Sequence, residues 1–151
     1  MDQHEGEMTE KRELVVESVR INDASDCYVI AEIGHNHQGS LEKAKELFRV
    51  AKECGVAAVK LQKRANRTLY TRALYEIPYL HENSFGPTYG AHREALELGR
   101  ADYEELKQYA KALGVTMFAT AFDFASADFL AALYMPAYKI ASGDLRNTPL
   151  L

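Results

Sequence analysis

Residues 40–62 read SLEKAKELFRVAKECGVAAVKLQ, and they contain a helix pattern, a break and a strand pattern in direct succession. Ser40 is a favourable helix N-cap residue, and the acidic Glu42 suits the first turn. Apolar side chains then recur at helical spacing, and Gly55 suits the end of the helix because glycine adopts the left-handed conformation. The apolar run at 57–62 predicts a buried strand. Together these features predict one helix–strand unit.

The same alternation continues on both sides of this unit. An apolar run predicts a strand at 28–33, and helical spacing that ends at Gly114 predicts a second helix at 102–113. Further strands are predicted at 116–120 and 137–140, with a helix at 126–133 that Pro136 prevents from continuing. Strands that alternate with amphipathic helices favour parallel pairing through crossovers. The sequence therefore predicts an α/β fold with four parallel strands and with helices on one face of the sheet.

The composition is that of an ordinary soluble domain, with 151 residues, 47% apolar and 26% charged, and a net charge of -4. The mild acidic excess argues against a nucleic-acid partner, and no apolar run approaches the ~20 residues of a membrane span. The polar N-terminus lacks the apolar segment of a signal peptide. Cys27 and Cys54 form neither a disulfide framework nor a metal-binding pair. We therefore expect a cytoplasmic protein with no nucleic-acid or membrane partner.

Two segments depart from the alternation. Residues 1–25 are polar, and we interpret them as a loose arm with a short strand at 13–19, ahead of an α/β unit at 26–151. Residues 64–100 form a long connection, and connections of this length are usually functional or disordered. The five aromatic side chains in it favour an ordered loop; they are Tyr70, Tyr75, Tyr79, Phe85 and Tyr89.

Polar side chains stand at the carboxyl end of every predicted strand, which is where parallel α/β folds bind ligands. In chain order they are Glu32, Lys60, Gln62, Thr120, Lys139, Ser142 and Asp144. Lys60 and Gln62 alternate with apolar residues, so they share the face that points away from the helices. A buried lysine without a partner is costly, and the two lysines together indicate an anionic ligand held between them.

These residues also admit structural interpretations. Lys60 could pair with Glu32 across neighbouring strands, and Lys139 could extend its ammonium group to solvent. Ser142–Asp144 could form only a turn. The shared position at one end of the sheet favours a ligand-binding site over these alternatives.

Several motifs together resemble those of the sialic acid synthase family, also called N-acetylneuraminate synthases. They are IAEIGHNHQGSLEKAKEL at 30–47, AVKLQK at 58–63, NSFGPTYGAHREALEL at 83–98, FATAFD at 118–123 and YKIASGDLRNTPLL at 138–151. The resemblance covers about residues 27–151. It implies a TIM-type (β/α)8 barrel that condenses phosphoenolpyruvate with N-acetylmannosamine or a related sugar, giving a nonulosonic acid and phosphate.

The resemblance also implies roles for single residues. Lys60 and Lys139 are similar to the lysines that hold phosphoenolpyruvate in the family. Glu32 resembles an essential carboxylate at the end of the first barrel strand. These three are the candidate catalytic residues.

Four further residues are implied to bind substrate. Gln62, Thr120 and Ser142 resemble the hydrogen-bonding companions of the two lysines. Asp144 stands where the family has a carboxylate near the sugar acceptor, although many members have Glu there. A divalent metal, Mn or Mg, assists the full-length family enzyme, but its histidine ligands lie on later strands, so we expect none to be fully liganded by this chain.

The length departs from the family pattern. A full barrel needs about 250 residues, whereas four of the eight strands are predicted here. We therefore expect the N-terminal half of a synthase barrel, as a fragment, a truncated gene product or one part of a split enzyme. Such a partial barrel would leave two strand edges unpaired, so we expect a homo-oligomer or pairing with a complementary half-barrel.

Two other functions remain open. A metal-dependent hydrolase on a TIM barrel could use His35 and His37 with Lys139, although those histidines would need to lie on the strand. A non-catalytic half-barrel, acting as an assembly partner or a remnant, is the second alternative.

Overall fold

A computed structural model describes residues 12–151 and contains a parallel sheet covered by helices. The strands are β1 Glu13–Val16, β2 Val19–Asn22, β3 Ile30–Gly34, β4 Ala58–Lys63, β5 Thr116–Ala121 and β6 Tyr138–Ile140. The helices are α1 Leu41–Glu53, α2 Asn66–Leu69, α3 Arg72–Tyr75, α4 Tyr89–Ala95, α5 Arg100–Leu113 and α6 Phe124–Ala131, and Ser142–Asp144 forms a 3-10 turn. The order β3-β4-β5-β6, with parallel pairing throughout, confirms the predicted α/β fold. It is consistent with part of a barrel.

The first helix forms as its sequence pattern predicts. The Ser40 side chain accepts a hydrogen bond from the backbone N–H of Lys43, which satisfies one of the free donors at the helix start. Ala44, Phe48 and Ala51 are buried along one side of α1. Gly55 has a φ of +82°, so the chain turns out of the helix in a conformation that favours glycine.

The main core lies between the helices and one face of the sheet. Val59 and Leu61 of β4 are fully buried there. Phe48 of α1 and Leu106 of α5 belong to the same buried cluster. Lys60 alternates with these apolar residues along β4 and therefore faces the opposite side of the sheet. The helices thus cover one face, and the polar residues belong to the other.

An antiparallel hairpin precedes the parallel sheet. Strands β1 and β2 pair directly, where the sequence predicts a single strand at 13–19. Val16 is buried, and the side chain of Glu17 accepts a hydrogen bond of 2.6 Å from Thr116 Oγ1 at the start of β5. Part of the predicted N-terminal arm is therefore packed at the amino end of the sheet. Residues 1–11 of that arm lie outside the described residues.

The long connection at 64–100 is ordered, as its aromatic content predicts. It contains three short helices, α2 to α4, which the sequence analysis does not identify. Its aromatic side chains contact one another: the ring centroids of Tyr70 and Tyr89 are 5.2 Å apart, and those of Tyr79 and His92 are 4.6 Å apart. Helices of four to seven residues are too short to produce a readable periodic pattern.

The helices of residues 12–151 include none with the length and apolar character needed to cross a membrane.

Candidate active site

The register of the parallel sheet places the predicted polar residues on one face. Glu32 of β3 is paired with Lys60 of β4. Gln62 of β4 is paired with Thr120 of β5, and Thr120 is paired in turn with Lys139 of β6. Paired residues of parallel neighbours point to the same side, so these five side chains form a row across the sheet, toward the carboxyl ends of its strands. We call this row, formed by Glu32, Lys60, Gln62, Thr120 and Lys139, the strand-end row.

Lys60 is the centre of this row. Its side chain is 9% exposed, and its ammonium group contacts the carboxylate of Glu32, which is 52% exposed. Lys60 Nζ also donates to Thr120 Oγ1 at 3.4 Å, and Thr120 is itself fully buried. The predicted ion pair with Glu32 is therefore present. Because Glu32 is half exposed, the pair opens toward solvent on the side from which a ligand would approach.

Gly34 brings Glu32 and Gln62 together. A Cβ atom at this position would lie 3.2 Å from Glu32 Oε1 and 3.4 Å from Gln62 Nε2. The backbone also has a φ of +56°, which favours glycine. The glycine thus allows the carboxylate and the amide to approach the same point at the end of β3.

Lys139, Ser142 and Asp144 continue the row at the last strand, and among the described residues their side chains make no hydrogen bond or ion pair with its other members. Lys139 is half-buried and makes no ion pair within residues 12–151. Ser142 is exposed, and the backbone N–H of Asp144 donates to Ala141 O in the 3-10 turn. Ser142–Asp144 therefore forms a turn, and the roles of Ser142 and Asp144 in binding substrate stay a prediction.

His35 and His37 are held in other interactions. His37 is 2% exposed, and its Nδ1 accepts the backbone N–H of Gly39 at 3.1 Å. Its burial, together with the nearby His35, lowers the pKa of His37 to about 4. Across residues 12–151, no group of three or more His, Cys, Asp or Glu side chains is arranged to hold a metal ion.

A buried charge cluster, which sequence reasoning missed, lies beside this row. Lys63 Nζ is 2.9 Å from Glu97 Oε2 and also donates to Leu98 O. His35 Nε2 is 3.3 Å from Glu97 Oε1. Arg64 NH1 lies 3.2 Å from His35 Nδ1. We call these four residues the His35 cluster; they are His35, Lys63, Arg64 and Glu97.

The partners in the His35 cluster decide the histidine tautomer. A guanidinium group only donates, so His35 Nδ1 must accept from Arg64. Nε2, the other ring nitrogen, lies 3.3 Å from Glu97 Oε1, and neither atom makes a hydrogen bond within the described residues. Burial opposes the ionisation of Glu97, but the contacts with His35 and Lys63 outweigh it and hold the pKa of Glu97 below its ordinary value. The cluster therefore contains a carboxylate between a lysine and a histidine.

Two sequence features mark single members of the His35 cluster as candidates, although they do not show which residues come together. Arg64 continues the alternation of Lys60 and Gln62 by two more residues. Glu97 is a single carboxylate between Leu96 and Leu98, and both of these leucines are buried. A charged residue between buried neighbours is a candidate for a buried ion pair.

The strand-end row offers a specific chemical environment. Two ammonium groups, a hydroxyl and an amide can bind a ligand that carries anionic oxygens, through charge-assisted hydrogen bonds. The half-exposed carboxylate of Glu32 adds a group that can accept a proton next to such a ligand.

Comparisons with known proteins show the family to which the chain belongs. Residues 47–151 match the NeuB family. N-acetylneuraminate-9-phosphate synthase from Homo sapiens is 42% identical over 125 residues, covering 83% of this chain and 35% of the human protein. N,N'-diacetyllegionaminic acid synthase from Legionella pneumophila is 40% identical over 126 residues, covering 83% of this chain and 35% of that protein. This chain therefore spans about a third of the length of these relatives.

A solved structure supports the fold. The N-acetylneuraminic acid (sialic acid) synthetase from Leptospira borgpetersenii, crystallised in complex with citrate, superimposes with a TM-score of 0.74 at 25% identity. The alignment covers 93% of this chain and 45% of that protein. The described sheet and helices thus correspond to a continuous part of a larger synthase.

Proposed function

The chain belongs to the NeuB family, and from that premise we propose that its strand-end row binds phosphoenolpyruvate for condensation with an N-acetylated amino sugar. The relatives are named as synthases of sialic acid 9-phosphate and of diacetyllegionaminic acid, so the family serves the biosynthesis of nonulosonic acids. The observation that carries the proposal is Lys60, a buried ammonium group at the carboxyl end of the sheet. It contacts a carboxylate that faces solvent and a buried hydroxyl.

Charge matching supports phosphoenolpyruvate as the ligand. The molecule carries a phosphate and a carboxylate, and the row offers Lys60 and Lys139 on the same face of the sheet. On β5, Phe118 is paired with Lys60, and Thr120 follows Phe118 by two positions. Thr120 is also paired with Lys139, so it lies between the two lysines. Ser142 follows Lys139 closely in the chain and supplies a further hydroxyl. In this arrangement each anionic group meets one ammonium group and one hydroxyl donor.

The proposed reaction forms one carbon–carbon bond. The methylene carbon of phosphoenolpyruvate attacks the sugar aldehyde. The neighbouring carbon, which is bonded to the phosphate oxygen, thereby becomes an electron-poor oxocarbenium carbon. Water adds to that carbon, and the carbon–oxygen bond to the phosphate breaks, which leaves a ketone. Of the two protons of the water, one ends on the former aldehyde oxygen as a hydroxyl and the other leaves with phosphate. Holding the methylene carbon and the aldehyde in contact supplies much of the rate.

Glu32 has a distinct part in this proposal. In the free protein its carboxylate contacts Lys60, which limits the cost of burying the ammonium group. Once an anion occupies Lys60, the half-exposed carboxylate accepts the proton of the attacking water. Gln62, whose amide lies near the same point at Gly34, orients the acceptor by hydrogen bonding. Asp144 is the candidate carboxylate for the sugar hydroxyls.

Phosphate release tests the proposal. Phosphoenolpyruvate is incubated with the protein alone, with N-acetylmannosamine and with N-acetylmannosamine 6-phosphate, and free phosphate is measured in each case. Calorimetric titration of phosphoenolpyruvate is run beside it. Phosphate release that requires a sugar supports the synthase. Binding of phosphoenolpyruvate without turnover would support a non-catalytic half-barrel, and no binding at all would contradict the proposal.

A further inference from the structure

Arg64 is a buried cation that no carboxylate of residues 12–151 pairs with. The residue is 8% exposed, and it makes no salt bridge with any carboxylate in the described part of the chain. Its guanidinium carbon lies 3.7 Å from the ring centroid of Phe122. One guanidinium nitrogen, NH1, contacts His35 Nδ1. Glu97 is occupied by Lys63 and His35. A guanidinium group has five donors, and buried charges are normally paired, whereas residues 12–151 supply no anion to this one.

Arg64 lies on the same face of the sheet as the strand-end row, beyond the end of β4. Lys60, Gln62 and Arg64 alternate along one strand and its extension, so they share the face opposite the helices. Phe122, beneath the guanidinium group, continues the same face of β5 beyond Thr120. Four residues separate Arg64 from Lys60, which corresponds to about 13 Å along an extended chain. Arg64 thus lies farther out along the face than the proposed phosphoenolpyruvate position.

A second arginine lies close by. Burial and the positive charge of Arg93 both lower the pKa of Arg64. Arg93 Nε donates to the hydroxyl of Tyr70 at 3.3 Å, and its guanidinium carbon is 5.6 Å from the ring centroid of Tyr89. Two positive charges in one partly buried region attract an anion. The region at the outer end of the row is therefore suited to a dianionic group.

We propose that Arg64 binds a phosphate group at the end of the acceptor sugar remote from its aldehyde. This inference rests on the proposed function. The aldehyde must contact phosphoenolpyruvate near Lys60, so the far end of an extended acceptor reaches outward along the face toward Arg64. The planar fork of a guanidinium group suits bidentate binding of phosphate. Arg64 is then a specificity-determining residue that selects phosphorylated acceptors.

Direct titration tests this assignment. The 151-residue protein is titrated with N-acetylmannosamine 6-phosphate, with N-acetylmannosamine and with phosphoenolpyruvate at fixed low salt. The same titrations are made with Arg64→Gln, which keeps a donor for His35 but removes the charge. The matched control is Arg67→Met, three residues later, where the arginine side chain is 79% exposed. We expect the unaltered protein and the control to prefer the phosphorylated sugar, and Arg64→Gln to reduce that preference about ten-fold without changing phosphoenolpyruvate affinity.

Other outcomes overturn the assignment. If Arg64→Gln weakens phosphoenolpyruvate binding instead, Arg64 serves that ligand. If the preference survives in Arg64→Gln, or is absent from the unaltered protein, Arg64 does not recognise the acceptor. Failure of the proposed function is distinguishable, because it would appear as absent phosphoenolpyruvate binding whatever the sugar phosphate does.

A measurement on the unaltered protein covers the case in which Arg64→Gln does not fold. The Arg64 Nε–H resonance is followed by NMR during addition of each ligand. A shift with N-acetylmannosamine 6-phosphate, and not with N-acetylmannosamine or phosphoenolpyruvate, supports the assignment. Equal responses to both sugars contradict it.

Discussion

Lysines at the two ends of the parallel sheet have different kinds of partner. At the amino end, Lys52 Nζ donates to Gly114 O at 3.1 Å and Lys107 Nζ donates to Tyr134 O at 3.0 Å, so both bind backbone carbonyls just beyond helix ends. At the carboxyl end, Lys60 and Lys63 are buried and contact carboxylate side chains. Lysines of the first kind complete helix termini, whereas those of the second kind keep charge inside the protein.

The comparison distinguishes lysines that serve only the structure from lysines whose charge is available to a ligand. A lysine on a terminal carbonyl has a fixed partner, and its removal affects only local stability. Lys60 has a partner that is half exposed, so an anion can compete for it. Lys63 and Glu97 are both nearly enclosed, so their pair is structural although it lies beside the candidate site. The four predictions below test these distinctions.

Glu97→Gln is expected to have the strongest influence on stability. It leaves Lys63 buried without an opposing charge, and breaking a buried pair in this way lowers the free energy of unfolding by about 3 kcal/mol. Urea denaturation measures the change. Glu105→Gln, which removes the exposed partner of Lys45, is the matched control and should change it by less than about 0.5 kcal/mol. Equal effects of the two substitutions would show that the carboxyl-end pair is no different from a surface pair.

The pH dependence of stability should reveal His37. The pKa of His37 in the folded protein is lowered to about 4, so between its ordinary value of 6.5 and about 4 the unfolded chain binds a proton that the folded protein does not. Stability is therefore lost as pH falls through this window, by up to about 3 kcal/mol. Unfolding in urea at several pH values should give a smaller decline for His37→Gln than for the unaltered protein. His81→Gln, at an exposed histidine, should leave the decline unchanged.

Substitution of the row lysines should weaken ligand binding. Lys60→Met and Lys139→Met each remove a charge-assisted contact, and we expect the affinity for phosphoenolpyruvate to fall by at least ~1.5 kcal/mol, or about ten-fold. Calorimetric titration at fixed salt measures this. Lys111→Met, at the exposed end of α5, provides the control. Unchanged affinity in both row variants would assign these lysines to structure.

Lys107→Met should have the smallest effect. It leaves the carbonyls of Leu133 and Tyr134 without their lysine donor, and water can replace that donor because the lysine is partly exposed. We expect the free energy of unfolding to fall by about 0.5–1 kcal/mol and phosphoenolpyruvate affinity to stay the same. A loss of affinity as large as that of Lys60→Met would remove the distinction between the two ends of the sheet.

The elements that sequence analysis identified are those with a strong local pattern. Helix α5 was predicted at 102–113 and spans Arg100–Leu113, ending at Gly114 with a φ of +67°. The hairpin was read as one strand because its turn, at Glu17 and Ser18, contains none of the Asn-Gly or Asp-Gly signals typical of tight turns. Glu17 nevertheless adopts a positive φ of 53° there. Its side chain is held by Thr116, which lies 99 residues later in the chain.

In the candidate site, too, features with a local pattern were predictable and contacts between distant residues were not. Alternation along β4 correctly predicts that Lys60 and Gln62 face away from the helices, because side-chain direction in a strand is a local property. Pairing with Glu32 could be proposed from the expected order of strands. The His35 cluster could not be assembled in this way, since Glu97 follows Lys63 by 34 residues and belongs to a segment without a readable pattern.

Local pattern thus determined the α/β alternation, the polar face of the sheet and the residues that stand on it. Tertiary structure decided which charges are paired, which remain open to a ligand and which tautomer His35 adopts. The physical reason is range: periodicity and turn chemistry act within a few residues, whereas the cost of burying a charge depends on whatever groups the folded chain places beside it. Lys63 and Arg64 are adjacent in sequence, yet folding provides a carboxylate for the first and leaves the second without one in residues 12–151.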